Sequence, residues 1–273
     1  MTLTLSIVIL TRNGLPFTKM CVESIQKHTT NYELIFVDNG SSDSTVSYLN
    51  SLPHTVVISN EENRGFAAGN NQGFRQAQGE YIVMLNNDTL VTPDWSQLLI
   101  KWLEKDSSLC MVGPRSNNLS AEQQISTEEN VQVTTLDSFA IDWSKHYANH
   151  GFYGRKLIGH CMLFRRSLLE QIGGLDERFY PASYEDDDFC LRARLYGKKL
   201  WIANDVFIYH FGHATFLANS IRYRDYSWDN ARRFIEKWQL PISVHQLETQ
   251  GYEPNDIVER IGVFDPQWHI EVM

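Results

Sequence analysis

Four consecutive carboxylates, Glu185-Asp186-Asp187-Asp188, stand directly before an apolar run, Phe189-Cys190-Leu191. Acids in a row usually form a solvated face or favour a helix N-terminus. Here aromatic and apolar neighbours place them at the start of a partly buried helix, where a carboxylate can serve as a general base. A second set of polar residues is divided among four short stretches: Thr11-Arg12-Asn13-Gly14, Asp38-Asn39-Gly40-Ser41-Ser42-Asp43, Asn60-Glu61-Glu62-Asn63-Arg64-Gly65 and Asn86-Asn87-Asp88. Each alone is ordinary turn chemistry. Together they offer donors and acceptors suited to a base, a ribose and phosphates. None is a G-x-G-x-x-G or Walker A sequence, which disfavours a dinucleotide dehydrogenase or a P-loop enzyme. Without a Gly-rich cradle, a diphosphate needs another source of positive charge. A divalent cation, Mn²⁺ or Mg²⁺, held by Asp88 is the economical one, because such ions prefer hard oxygen ligands, few protein groups and substrate phosphates. A third element is His210-Phe211-Gly212-His213, two imidazoles with two residues between them at the end of a strand-like run.

The elements that must position these residues alternate between strand and helix. Leu5–Leu10 is a short run rich in β-branched residues, as expected of a strand buried on both faces. Further strands are expected at Tyr32–Val37, Thr55–Ser59, Tyr81–Leu85 and Leu109–Val112. Helices are expected at Pro16–Lys27, Asp43–Asn50 with Ser42 or Asp43 as cap, Phe66–Gln78 ended by Gly79, and Pro93–Lys105 with Pro in its first turn. This alternation implies right-handed βαβ units and a mostly parallel sheet. The four polar stretches then follow the first four strands, at the edge where open parallel sheets bind ligands. Residues 115–150 are polar with weak periodicity and read as a long irregular segment. Order returns at Leu157–Arg165, followed by helices at Ser167–Ile172 and Phe189–Tyr196, a strand at Lys199–Tyr209 and a helical tail from Ala218 to Trp238. Within that tail Arg222, Tyr223, Arg224, Tyr226 and Trp228 form a basic, aromatic stretch. It reads first as an amphipathic helix docked on the core, and otherwise as an acceptor-cleft wall, a membrane-surface contact or a subunit contact in a homo-oligomer.

The chain has 273 residues, of which 42% are hydrophobic and 21% charged, enough for a substantial core. The net charge of -9 argues against nucleic acid as the main partner. Cys21, Cys110, Cys161 and Cys190 are scattered and read as buried thiols in a reducing compartment, with no zinc or disulfide pattern. No basic leader with a cleavage site and no apolar stretch of about 20 residues is present, which gives the expectation of a cytoplasmic protein without a transmembrane segment.

As an ordered set, these residues resemble the family 2 glycosyltransferases. The matching stretches are Ile7–Asn13, Val37–Asp43, Asn63–Asn71, Leu85–Asp88, Gly159–Leu163, Gly173–Phe179, the Glu185-Asp186 pair and the segment around His210, covering about residues 4 to 215. The resemblance implies a GT-A fold: a Rossmann-like α/β domain with helices flanking the sheet and a C-terminal acceptor-side subregion. Residues 1–114 would be the nucleotide-binding half, 115–217 the acceptor-binding and catalytic half, and 218–273 a helical tail. It implies nucleotide-sugar contacts at Thr11, Asn13, Asp38, Asn63, Arg64, Gly65, Asn70 and Asn87, with Asp38 near the base. Asp88 resembles the metal-binding carboxylate of a D-x-D motif whose first position is Asn86 here. His210, or His213 in its place, resembles a further metal ligand, Asp186 the catalytic base, and Glu185 a residue that orients the acceptor or a ligand. The implied activity is inverting transfer of a sugar from a nucleotide diphosphate donor to an acceptor hydroxyl. A UDP-hexose is the first choice of donor and a dTDP-deoxysugar such as rhamnose the second. The acceptor is a glycan, a lipid-linked sugar or a glycoprotein. Two rivals are a non-catalytic binding or scaffold module, which Asn86 favours, and a sugar-1-phosphate nucleotidyltransferase, whose Gly-rich, Lys-containing loop is missing.

Overall fold

The computed structural model describes residues 4–119, 121–126, 131–212 and 224–272, with 121 and 224–226 described by their backbone only. Strand β1 (Leu5–Thr11) pairs in parallel with both β2 (Tyr32–Asn39) and β4 (Tyr81–Asn86), and β2 pairs in parallel with β3 (Thr55–Asn60). The crossovers carry α1 (Leu15–His28), α2 (Thr45–Ser51) and α3 (Phe66–Gln76). Side chains alternate across a strand, and β1 uses both faces: Ile7 and Ile9 pack with Cys21, Ile25 and Leu99 on one side, Val8 with Ala67 and Phe74 on the other. Helix α3 lies close on the sheet because Gly69 and Gly73, four residues apart, have no side chain there. A Cβ at either would meet β1 at 2.3 Å, on Leu10 or on Val8.

The remaining strands extend the same sheet, apart from two that pair with each other. They are the two-residue β5 (Thr89–Leu90), β6 (Leu109–Arg115), β7 (Gly151–Gly154), β8 (Cys161–Arg165), β9 (Lys199–Phe207) and the two-residue β10 (Tyr209–His210). Eight strands run in the order β3-β2-β1-β4-β8-β6-β9-β7, so the two halves expected from sequence share one sheet. β8 is antiparallel to β4 and β6, and β7 is antiparallel to β9. β5 and β10 form a separate antiparallel pair. The other helices are α4 (Trp95–Lys105), α5 (Leu136–His146), α6 (Ser167–Ile172), α7 (Glu185–Leu195), α8 (Arg224–Trp238), α9 (Val244–Gln250) and α10 (Pro254–Ile261).

Several expectations are corrected. Residues 115–150 are not irregular throughout. They contain α5, whose Leu136, Ala140 and Trp143 are buried at helical spacing. Helix α3 ends at Gln76, two residues earlier than expected, and Ala77-Gln78-Gly79 brings the chain back onto β1. Gly79 is needed there for close approach, since a Cβ would lie 2.8 Å from the Ser6 amide nitrogen. Helix α4 starts at Trp95 behind Asp94, which has φ 60°, so Pro93 lies outside it. The run Leu157–Arg165 becomes a strand only from Cys161, and Lys199–Tyr209 is divided into β9 and β10. Helix α7 begins at Glu185, ahead of the expected Phe189, after Tyr184 in the left-handed conformation. In the tail, α8 packs Ala231, Phe234 and Trp238 against Leu191 and Leu195 of α7, which is the docking reading of that helix. His213, Ala218, Arg222 and Tyr223 lie outside the described residues. The four cysteines are free and buried. Among the described residues no helix is long and apolar enough to cross a membrane.

Candidate active site

The four polar stretches follow β1, β2, β3 and β4, which are neighbours in the sheet and mutually parallel, so all four lie at one edge. Asp38 ends up inside β2 and buried. Its carboxylate accepts from the Thr11 hydroxyl at 3.1 Å, from the Ser41 amide at 2.8 Å and from the Ser41 hydroxyl. Asn13, with φ 55°, accepts from the amides of Ser42 at 2.8 Å and Asp43 at 3.2 Å. These bonds join the first and second stretches into one polar rim. Asn63 accepts from the Gly65 amide at 3.0 Å. Gly65, with φ 85°, is pressed against Tyr180, where a Cβ would meet the ring at 2.8 Å. Arg64 is exposed. Asn70 is buried, with its side-chain amide donating to the Phe66 carbonyl one turn back, and Asn87 is buried, with its amide donating to Thr18 on α1. Both therefore brace the site's walls.

Asn39 gave no signal of its own in the sequence, yet it ties the rim together. Its amide donates to Asn63 and to the Gly65 carbonyl, and its oxygen accepts from Asn60.

Asp88 and His210 meet where β5 pairs with β10, with 3.2 Å between Asp88 Oδ1 and His210 Nε2. His210 Nδ1 lies 2.8 Å from the Asn118 carbonyl oxygen, which can only accept, so Nδ1 carries the proton. Nε2 and Asp88 Oδ1 then present lone pairs to each other unless a cation lies between them. A proton is one solution: although burial pulls the imidazole down, Asp88 and the Asn118 carbonyl raise it above its ordinary value. A divalent ion is the other. Two ligand atoms at right angles, each about 2.1 Å from an ion, lie about 3.0 Å apart, near the observed spacing. The Asn118 contact is the kind of outer bond that fixes a ligating imidazole. Among the described residues no group of three or more His, Cys, Asp or Glu is arranged for a metal. This pair thus suits an ion that takes its other ligands from phosphate and water.

Asp186 lies in the first turn of α7. Its Oδ2 accepts from the Gly159 amide at 2.9 Å and its Oδ1 from the Asp187 amide at 2.9 Å. Burial and the charge of Asp187 push the carboxyl up to about 6, against the pull of Lys156 and the two amides. Glu185 is buried, and burial with the Asp186 charge raises it well above the ordinary value; its Oε2 has no hydrogen-bond partner. Asp187 and Asp188 are engaged elsewhere. Asp187 pairs with Lys156 at 2.9 Å. Asp188 pairs with Arg192 at 2.8 Å and Lys237 at 2.6 Å in the interior. Of the four acids, Asp186 alone combines partial exposure with a raised carboxyl.

The link between the two centres is Gly159-His160. Gly159 holds Asp186, the His160 carbonyl accepts from the Asn86 amide at 2.8 Å, and the His160 ring lies 5.6 Å from the His210 ring. In the sequence this pair is only the entrance to a strand. Its role comes from β8 inserting next to β4, a long-range pairing.

Residues 6–173 match the profile of glycosyl transferase family 2. The chain belongs to that family. Among curated proteins this family member is similar to the putative glycosyltransferase EpsH of Bacillus subtilis, at 23% identity over 71% of this chain and 57% of EpsH. The chain spans only 30–57% of the length of several curated proteins it matches. Among solved structures it is similar to the mannosyltransferase PcManGT of Pyrobaculum calidifontis, in complex with GDP-Man and Mn²⁺. The match has a TM-score of 0.59 and 19% identity, and covers 94% of this chain and 67% of that one. It is also similar to GalNAc-T7 with UDP, GalNAc and Mn²⁺, with a TM-score of 0.62 and 14% identity, covering 98% of this chain and 56% of that one. At such identities the likeness concerns the fold, which is GT-A.

Proposed function

We propose that this chain is an inverting, metal-dependent glycosyltransferase that moves a hexose from a UDP-hexose to an acceptor hydroxyl on a glycan, a lipid-linked sugar or a glycoprotein. The observation that carries this reading is the pairing of Asp88 with a His210 whose Nδ1 is already committed to Asn118, beside a rim of nucleotide-sized polar loops. Asp88 and His210 would hold Mn²⁺ or Mg²⁺, as the Mn²⁺-bound complexes of the two GT-A neighbours suggest by analogy. The bound ion would offset the charge of the departing diphosphate.

The chain's own residues supply the rest. Thr11, Asn13 and Asp38 form the nucleoside end, and Asn63, Arg64 and Gly65 the next part of the rim, with Asn70 and Asn87 behind it. One lone pair of Asp38 Oδ2 remains for an imide N–H after the Ser41 amide is served, which fits a uracil base. Arg64 is a cation on the exposed rim, able to reach phosphate oxygens. Asp186, fixed by the Gly159 and Asp187 amides, takes the proton from the acceptor hydroxyl as that oxygen attacks the anomeric carbon from the face opposite the leaving group. Its raised carboxyl makes it a stronger base than an ordinary Asp while still ionised near neutral pH. Glu185, whose carboxyl burial and the Asp186 charge push well above the ordinary value, is placed to orient an acceptor or sugar oxygen.

Calorimetry of UDP binding with and without Mn²⁺ tests the donor end. The expected result is Mn²⁺-enhanced binding in the unaltered chain, reduced in His210→Ala and absent in Asp88→Ala. Equal enhancement in all three would place the ion elsewhere.

A further inference from the structure

The family match ends at residue 173, and the chain beyond α7 returns to the site. Residues 244–264 run along the whole of α7. Glu248 accepts from the Tyr184 hydroxyl at 2.7 Å, at the residue that precedes the helix. Tyr252 donates its hydroxyl to Asp187 Oδ1 at 2.7 Å in the first turn. Asn255 accepts from Arg194, and the Phe264 amide donates to the Leu195 carbonyl, both in the last turn. The Tyr252 ring packs on Phe234 of α8 with centroids 4.9 Å apart, so it is held from behind. Arg155, the neighbour of Lys156, pairs with Glu253 at 2.7 Å. Lys156 Nζ lies 2.9 Å from the same Asp187 Oδ1 that Tyr252 reaches. Asp187 in turn donates its amide to Asp186.

We propose that Tyr252 and Lys156 are positioning residues for Asp186: their two donors on one oxygen of Asp187 fix the neighbour whose amide holds Asp186 and whose charge faces it, so the C-terminal segment completes the base. This inference rests on the reading of Asp186 as the base, but the geometry it describes does not. The charged and titratable groups around Asp186 are Glu185, Asp187 and Cys190 on its own helix, Lys156 from the segment before β8, and Tyr252 from the tail. The arrangement balances one anion, Asp187, against one cation and one hydroxyl. Removing either donor leaves the Asp187 charge less offset, so Asp186 binds its proton more tightly. An ordinary brace would not have this consequence.

The experiment is a ¹³C carboxyl NMR titration of the full chain labelled at aspartate Cγ, with the Asp186→Asn spectrum identifying the resonance. In the unaltered chain the Asp186 midpoint is expected at about 6. Tyr252→Phe should raise it by about half a unit and Lys156→Met by about one unit, while Lys156→Arg, which keeps the charge, restores it. Midpoints that coincide in the unaltered chain, Tyr252→Phe and Lys156→Met overturn the proposal, since all three are read by the same resonance in folded protein. Turnover by Asp186→Asn tests the base reading separately: retained activity would sink that reading and leave the titration result standing.

Discussion

Replacing Asp186 with Asn keeps its shape and removes its charge, and the structure predicts opposite effects on activity and stability. Loss of a general base typically costs about 10²–10⁴-fold in turnover. For stability, the relevant gap is between the ordinary carboxyl value of 3.8 and about 6 in the folded chain. A folded carboxyl that binds its proton more tightly than the unfolded one makes stability fall as pH rises through this window, and the loss is complete above it. At 1.36 kcal/mol per unit the full gap is about 3 kcal/mol. Solvent at the exposed edge of the side chain reduces this, and Asn cannot accept from both the Gly159 and Asp187 amides, which costs about 1 kcal/mol. The net expectation is a variant about 1–2 kcal/mol more stable than the parent at pH 7.5, and equal or slightly less stable at pH 4. Urea unfolding at the two pH values measures this, with turnover followed by UDP release. If Asp186→Asn gains no stability at pH 7.5 relative to pH 4, the carboxyl is not raised in the way the burial requires. If turnover survives, Asp186 is not the base.

Three further outcomes are expected. Asp38→Ala should weaken UDP binding tenfold or more in calorimetry, both by losing the imide contact and by releasing Thr11 and Ser41 from the rim; unchanged affinity would remove Asp38 from the site. Lys237→Met should destabilise the chain by about 3–5 kcal/mol in urea unfolding, because it leaves the buried Asp176 and Asp188 short of their shared cation; a cost below about 1 kcal/mol would mean that Arg178, 2.6 Å from Asp176, and Arg192, on Asp188, suffice. Asp187→Asn should move the acid limb of the pH–rate profile down, since the neighbouring charge that raises Asp186 is gone; an upward move would contradict the assigned electrostatics.

The first half of the fold was legible because its signals are local. Each of β1 to β4 is a short β-branched or apolar run, and each is followed closely by Asn, Asp, Gly or Ser, so the sheet edge and its polar loops could be placed without tertiary information. The second half was harder for specific reasons. Helix α5 has apolar residues at helical spacing, Leu136, Phe139, Ala140 and Trp143, but the polar residues around them hid the period. Strand β7 has only four residues, two of them Gly. The antiparallel insertion of β8 is set by pairing across the sheet, which no local pattern encodes. The acidic run stood out as a candidate site but gave the wrong helix start. Tyr184 in the left-handed conformation lets α7 begin at Glu185, so Asp186 sits within the first turn and not before it. Gly159, Lys156 and Tyr252 were invisible as site residues, and Asn39 was only one member of a polar stretch, because their roles exist only through partners 24 to 65 residues away.

A donor screen tests metal-dependent sugar transfer most directly. A panel of UDP-, GDP- and dTDP-sugars is incubated with the chain and Mn²⁺, and the released nucleotide is identified. Release of UDP from a UDP-hexose, abolished by EDTA and by Asp88→Ala, is the predicted result. Pyrophosphate exchange in place of nucleoside diphosphate release, turnover indifferent to EDTA, or tight donor binding with no turnover across the whole panel would contradict it.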